Sequence, residues 1–140
     1  MYLDTSVLVS LYAPEPDSAR CEEVVTAAPG IVISELAVAE LSGALLAKEK
    51  NGQLTSALRT SILDHFKSSI ANHEIQVVPL DRHVIEDAVE IMQRVHPQVL
   101  LRTLDAIQLA SYLSVDAGPL FTRDKRMQQA ARMLGIALAD

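Results

Sequence analysis

The sequence predicts a single α/β domain, a parallel sheet covered by helices, and three observations lead there. Strand-like and helix-like stretches alternate from one end of the chain to the other, which is the mark of strands joined by helical crossovers. The 140 residues suit one domain and bury about two-thirds of the surface the unfolded chain would expose. The opening Met1-Tyr2-Leu3-Asp4-Thr5-Ser6 reads as a short buried strand that ends in a carboxylate and turns into a helix. An acid at the carboxyl end of a strand stands where open α/β sheets place their ligand sites.

After the first helix, Pro14-Glu15-Pro16-Asp17 breaks the chain, and Ser18 to Ala28 gives a short helix closed by Pro29-Gly30. Gly30-Ile31-Val32-Ile33 is a second buried strand. Ser34 caps a long helix through Lys50, with Val38, Leu41 and Leu45 on one stripe, and Asn51-Gly52 turns it into a second helix from about Gln53 to Asn72. The two form a helical hairpin after the second strand. Ile75 to Leu80 is a third strand, and Asp81 opens a helix whose Val84, Ala88, Ile91, Met92 and Val95 face inward, ended by His96-Pro97. A helix from Leu104 to Val115, a strand Leu120-Phe121-Thr122, a helix from Asp124 to Leu134 and a last short strand Gly135-Ile136-Ala137-Leu138 complete the chain.

Composition removes several classes. A formal charge of −6 argues against coating nucleic acid by bulk electrostatics, yet leaves room for an enzyme that holds phosphate through metal ions, because such a site is itself carboxylate. The lone Cys21 gives no disulfide framework and no Cys-x-x-Cys pair, and it reads as a packed thiol in a reducing compartment. No apolar run approaches a membrane span and no leader pattern opens the chain, so the expectation is a soluble, cytoplasmic protein without membrane attachment. His65, His73, His83 and His96 sit among polar or chain-breaking neighbours and read as surface residues.

Four carboxylates occupy positions where solvated acids are unusual. Asp4 ends the first strand, Asp105 lies in the first turn of an otherwise core-like helix, and Asp124 opens the last helix. Glu40 has Leu36, Ala37, Gly43 and Ala44 one turn away, an apolar surround in which a charge needs a partner or a metal. Asp4, Asp105 and Asp124 could each be explained as helix caps or dipole partners, and Glu40 by a basic neighbour. As a set they would repel unless divalent cations neutralised them. Glu22, Glu23, Glu86, Asp87 and Glu90 read as solvated faces, and Glu35 as a helix-cap residue.

Leu3-Asp4-Thr5-Ser6, Ile33-Ser34-Glu35-Leu36-Ala37-Val38-Ala39-Glu40-Leu41, Leu101-Arg102-Thr103-Leu104-Asp105-Ala106-Ile107-Gln108-Leu109-Ala110 and Phe121-Thr122-Arg123-Asp124-Lys125-Arg126 occur in that order. The ordered set resembles the PIN domain, and within it the VapC-type ribonuclease toxins of bacterial toxin–antitoxin pairs, over essentially residues 1–140 as one PIN domain. The resemblance implies a PIN-like α/β/α sandwich with acids meeting at one end of the sheet around Mg²⁺ or Mn²⁺. By motif match those acids are Asp4, Glu40, Asp105 and Asp124, with Ser6 and Thr122 at the supporting hydroxyl positions. Gln108 departs from the pattern, since many relatives carry His there, one turn from Asp105. The resemblance further implies an RNA substrate, a cognate antitoxin over the acidic cleft, and a homodimer.

Oxygen-only ligands with no Cys/His cluster favour a hard cation over zinc. The chemistry so implied is metal-dependent hydrolysis of RNA phosphodiesters, with Asp4 and Asp105 as leading ligands and Asp124 and Glu40 as ligands, supports or orienters of the attacking water. Arg123, Lys125 and Arg126 crowd around Asp124 and are candidates for the RNA backbone. A haloacid-dehalogenase-type phosphatase would need a second Asp where Ser6 stands, and neither G-x-G-x-x-G nor a P-loop can be written with these glycines. The alternative of a different class is a non-catalytic module of the same fold that binds RNA or protein.

Overall fold

The structure, a computed structural model, describes residues 1–139. Four parallel strands, β1 (Tyr2–Leu3), β2 (Ile31–Ser34), β3 (Ile75–Val78) and β4 (Leu120–Phe121), form one sheet in the order β3-β2-β1-β4. β1 therefore lies inside the sheet, with Tyr2 opposite both Val32 and Leu120 and Leu3 opposite Phe121. Parallel strands deliver the residues after them to one end, so Asp4, Glu35 and Thr122 all leave the sheet on the same side.

Helices α1 (Thr5–Tyr12), α2 (Ser18–Thr26), α3 (Glu35–Lys50), α4 (Ser56–Ala71), α5 (Arg82–Val95), α6 (Thr103–Leu113) and α7 (Lys125–Met133) cover the sheet. Successive strand side chains point to opposite faces, and β1 shows the consequence. Tyr2 enters a core with Val84, Ala88 and Val95 of α5, Ala106, Ile107, Leu109 and Ala110 of α6 and Met127 of α7. Leu3 enters a second core with Val7 and Leu8 of α1, Leu41 and Leu45 of α3 and Phe66 of α4. The expected sandwich of helices on both faces of a parallel sheet is thus present, with the α3–α4 hairpin after β2. No helix among the described residues is long and apolar enough to cross a membrane.

Several boundaries differ from the sequence expectation for local reasons. α4 begins at Ser56 rather than near Gln53, because the Thr55 hydroxyl accepts from Leu58 N at 3.2 Å and caps the helix there, while Gly52 turns the chain at a φ of 73°. Asp124 lies outside α7 as its N-cap rather than in its first turn. The expected last strand 135–138 reduces to one bridge, Leu138 to Leu120, because β4 offers a partner only two residues long. Glu35 does not cap α3; its carboxylate accepts from Leu80 N at 3.0 Å and ties the start of that helix to the end of β3. The four histidines are exposed and Cys21 is buried, as their neighbours suggest.

Candidate active site

The carboxyl end of the sheet gathers the acids through a few short polar links. Asp4 comes directly after β1 in extended conformation and is only 7% exposed. Its Oδ2 accepts from Ser6 N at 3.3 Å, from Ser6 Oγ at 2.6 Å and from Thr122 Oγ1 at 2.9 Å. One oxygen is thereby locked by the cap and by the two hydroxyls. Thr122 Oγ1 also accepts from Asp124 N at 3.1 Å, so a single buried hydroxyl joins the ends of β1 and β4.

Asp124 divides its oxygens between two tasks. Oδ1 accepts from Arg126 N at 2.8 Å and Met127 N at 3.0 Å, capping α7, while Oδ2 accepts from Arg102 Nη2 at 3.1 Å. Asp105 stands in the first turn of α6 with 18% of its side chain exposed. Its Oδ2 is buried without a hydrogen bond; Arg102 Nε approaches it to 3.5 Å, an ion-pair distance without hydrogen-bond alignment. Burial and then the charge of Asp124 push the Asp105 carboxyl above its ordinary range, Arg102 pulls it back, and Asp4 adds to the rise.

Glu40 of α3 reaches the same end by a second chain of contacts. Its Oε2 accepts from Thr5 Oγ1 and from Gln108 Nε2, the latter at 2.8 Å, and Gln108 Nε2 also lies 3.0 Å from Thr5 Oγ1. The Tyr2 hydroxyl donates to Gln108 Oε1 at 2.9 Å, which fixes the amide with its nitrogen toward Glu40. Burial raises the Tyr2 phenol, so it stays a proton donor at neutral pH. Gln108, 1% exposed, thus makes a supporting contact at the position where the motif departs from its relatives.

Arg123 goes elsewhere. Its guanidinium pairs with Glu15 and with Asp17, the latter at 2.8 Å, and also donates to Ser10 Oγ. That geometry makes Arg123 a brace between the β4–α7 junction and the α1–α2 loop. Lys125 and Arg126, at the start of α7, are exposed. Beside them a cavity of 360 Å³ is lined by Arg20, Thr122, Arg123, Lys125 and Gln128 among others.

The sheet end therefore collects Asp4, Asp105 and Asp124 around Thr122 and Arg102, with Glu40 held next to them through Thr5. Among the described residues no trio of His, Cys, Asp or Glu side chains is closed up to hold an ion. The donor set nonetheless fits a hard divalent cation, since every available ligand is a carboxylate oxygen and Asp105 Oδ2 is a buried one that no donor satisfies.

The model of the PIN domain family matches residues 1–133. The chain belongs to the PIN domain family. It is 34% identical over 140 residues to Ribonuclease VapC46 of Mycobacterium tuberculosis, covering 99% of this chain and 95% of that relative. Among solved structures its fold is similar to that of FitAcB from Neisseria gonorrhoeae, with a TM-score of 0.73 at 20% identity, covering 99% of this chain and 96% of the other. It is similar too to Mycobacterium tuberculosis VapC20, a sarcin-ricin loop cleaving toxin, with a TM-score of 0.70 at 14% identity over 92% and 93% of the two chains.

Three residues that build the end of this PIN sheet carry little signal in the sequence. Thr5 looks like one of several cap hydroxyls, Arg102 like a charge before a helix, and Tyr2 like core. The available clue to Arg102 is its spacing three residues before Asp105, the distance that brings side chains together on a helix.

Proposed function

We propose that this chain is a divalent-metal-dependent endoribonuclease that acts as the toxin of a toxin–antitoxin pair. The observation that carries the reading is the set of carboxylates at the carboxyl end of the sheet, where Asp105 keeps a buried oxygen with no hydrogen bond and Arg102 bridges Asp105 to Asp124. Membership of the PIN family and the ribonuclease among its relatives support it.

Asp4 and Asp105 are the leading ligands for Mg²⁺ or Mn²⁺, with Asp124 Oδ2 beside them. Bound there, the ion supplies a polarised water and neutralises phosphate oxygens. Ser6 and Thr122 hold Asp4 Oδ2 so that its other oxygen keeps a fixed direction. Glu40, oriented by Thr5 and Gln108, is placed to take a proton from the attacking water. Lys125 and Arg126 are placed to contact the RNA backbone, and Arg20 continues that cationic edge along the cavity behind Thr122. A cognate antitoxin is the expected partner, since fold neighbours include a toxin–antitoxin complex from Klebsiella pneumoniae with a TM-score of 0.56.

The test is cleavage of total cellular RNA by the purified chain across a Mg²⁺ titration, beside Asp4→Asn. Cleavage that appears only with the ion, and is lost in Asp4→Asn while its circular dichroism stays that of the wild type, is the expected result. RNA binding without cleavage at any ion concentration would instead identify a binding module.

A further inference from the structure

We propose that Arg102 is a built-in counter-ion that occupies the cation's place between Asp105 and Asp124, and that metal binding must displace it. The inference rests on the metal-dependent reading above and adds a positioning residue to it. Arg102 is the N-cap residue of α6, and its own side chain makes no cap there. The guanidinium crosses instead to the far side of the cleft, with Nη2 3.1 Å from Asp124 Oδ2 and Nε 3.5 Å from Asp105 Oδ2. It is the one cation among the described residues that pairs with two of the four candidate acids.

Charge balance explains why such a residue is useful. Asp105 and Asp124 are brought together by α6 and α7, and a pair of neighbouring carboxylates without a cation costs stability through repulsion. Arg102 offsets that cost in the metal-free protein. The contact is nevertheless built to be broken: the Arg102 side chain is 61% exposed and its approach to Asp105 lacks hydrogen-bond alignment, so a well-solvated guanidinium adds little there. A divalent ion on the same oxygens carries twice the charge and can take direct coordination, so it displaces the guanidinium. The freed side chain then stays at the rim of the cleft, within reach of a phosphate that has come to the metal.

The competition has a sign that activity alone would not reveal. Loss of the guanidinium removes both a competitor and a like charge, so metal affinity rises in the variant, whereas loss of an ordinary supporting residue lowers it. The gain expected from removing the two pairs together is roughly 3- to 10-fold in affinity, equivalent to about 0.7 to 1.4 kcal/mol.

The experiment is Mn²⁺ binding without RNA, read by electron paramagnetic resonance of free Mn²⁺, for the wild type, Arg102→Gln, Arg126→Gln and Asp105→Asn. Arg126 supplies a like charge near Asp105 without pairing with it, so it controls for simple repulsion. The expected result is a roughly 3- to 10-fold lower Kd in Arg102→Gln, less than about 2-fold change in Arg126→Gln, and loss of binding in Asp105→Asn. Equal or weaker binding in Arg102→Gln, or an equal gain in Arg126→Gln, overturns the counter-ion. If the wild type and Arg102→Gln both fail to bind Mn²⁺, the metal-dependent reading itself falls, and the counter-ion with it.

Discussion

Asp124 shows how one residue carries two assignments that the sequence sets against each other. As a helix cap it needs one oxygen, and Oδ1 accepts the two amides of α7; Oδ2 remains for the cleft and holds Arg102. Asp4 divides in the same way, with the cap and both hydroxyls on Oδ2. The acids are legible in the sequence because each stands at a strand end or in an apolar surround. Their partners are not, since Arg102 meets Asp124 across 22 residues and Gln108 meets Glu40 across 68, distances set by the fold alone. Thr122 is the sharpest test at this scale. Thr122→Val keeps the shape but removes the hydroxyl that serves both Asp4 and Asp124, and the loss of one such link, near 1.4 kcal/mol, lowers kcat/KM about tenfold. A cleavage assay at saturating Mg²⁺ measures it, and unchanged kcat/KM would remove Thr122 from the supporting role.

Helices and strands were largely readable because their periodicity and caps agree with the packing. α5 buries Val84, Ala88, Ile91 and Val95 on the face its sequence marks. The short elements escape such reading: β4 spans two residues, and the segment after α7 pairs with it at a single point. The α3–α4 hairpin is held to the sheet by Phe66, 1% exposed, whose ring meets Tyr12 of α1 edge-on at a centroid distance of 5.4 Å. Phe66→Ala should destabilise the chain by about 3 kcal/mol, read as a lower urea midpoint at unchanged slope. A cost below about 1 kcal/mol would show that the hairpin does not depend on this anchor.

On the scale of the molecule, one ion-pair network ties together segments far apart in the chain. Glu15, in the loop between α1 and α2, accepts from Lys48 of α3 at 2.9 Å, from Ser10 of α1 at 2.9 Å and from Arg123 beside β4. Burial alone would raise its pKa, but the hydrogen bonds from Lys48, Arg123 and Ser10 outweigh it and hold the carboxyl at about 2, against an ordinary 4.5. A carboxyl depressed in the folded state contributes stability that is complete above 4.5 and disappears as pH falls toward 2. Glu15→Gln should therefore cost about 2 kcal/mol at pH 7 in urea unfolding, with the gap to the wild type closing as the pH drops through that window. A gap that stays constant with pH would place the contribution in packing rather than in charge. A homodimer is the assembly the PIN resemblance implies, and light scattering at several concentrations decides it: twice the 15.2 kDa chain mass is expected, and a monomer throughout would contradict it.

The claim on which the rest depends is that Asp4, Asp105 and Asp124 meet around a divalent cation. Anomalous diffraction from crystals grown with Mn²⁺ measures this directly. A peak among these three carboxylates, with Arg102 withdrawn from Asp105, is the expected result. Loaded crystals without a peak there, or with the ion bound only at other surface acids, would contradict it.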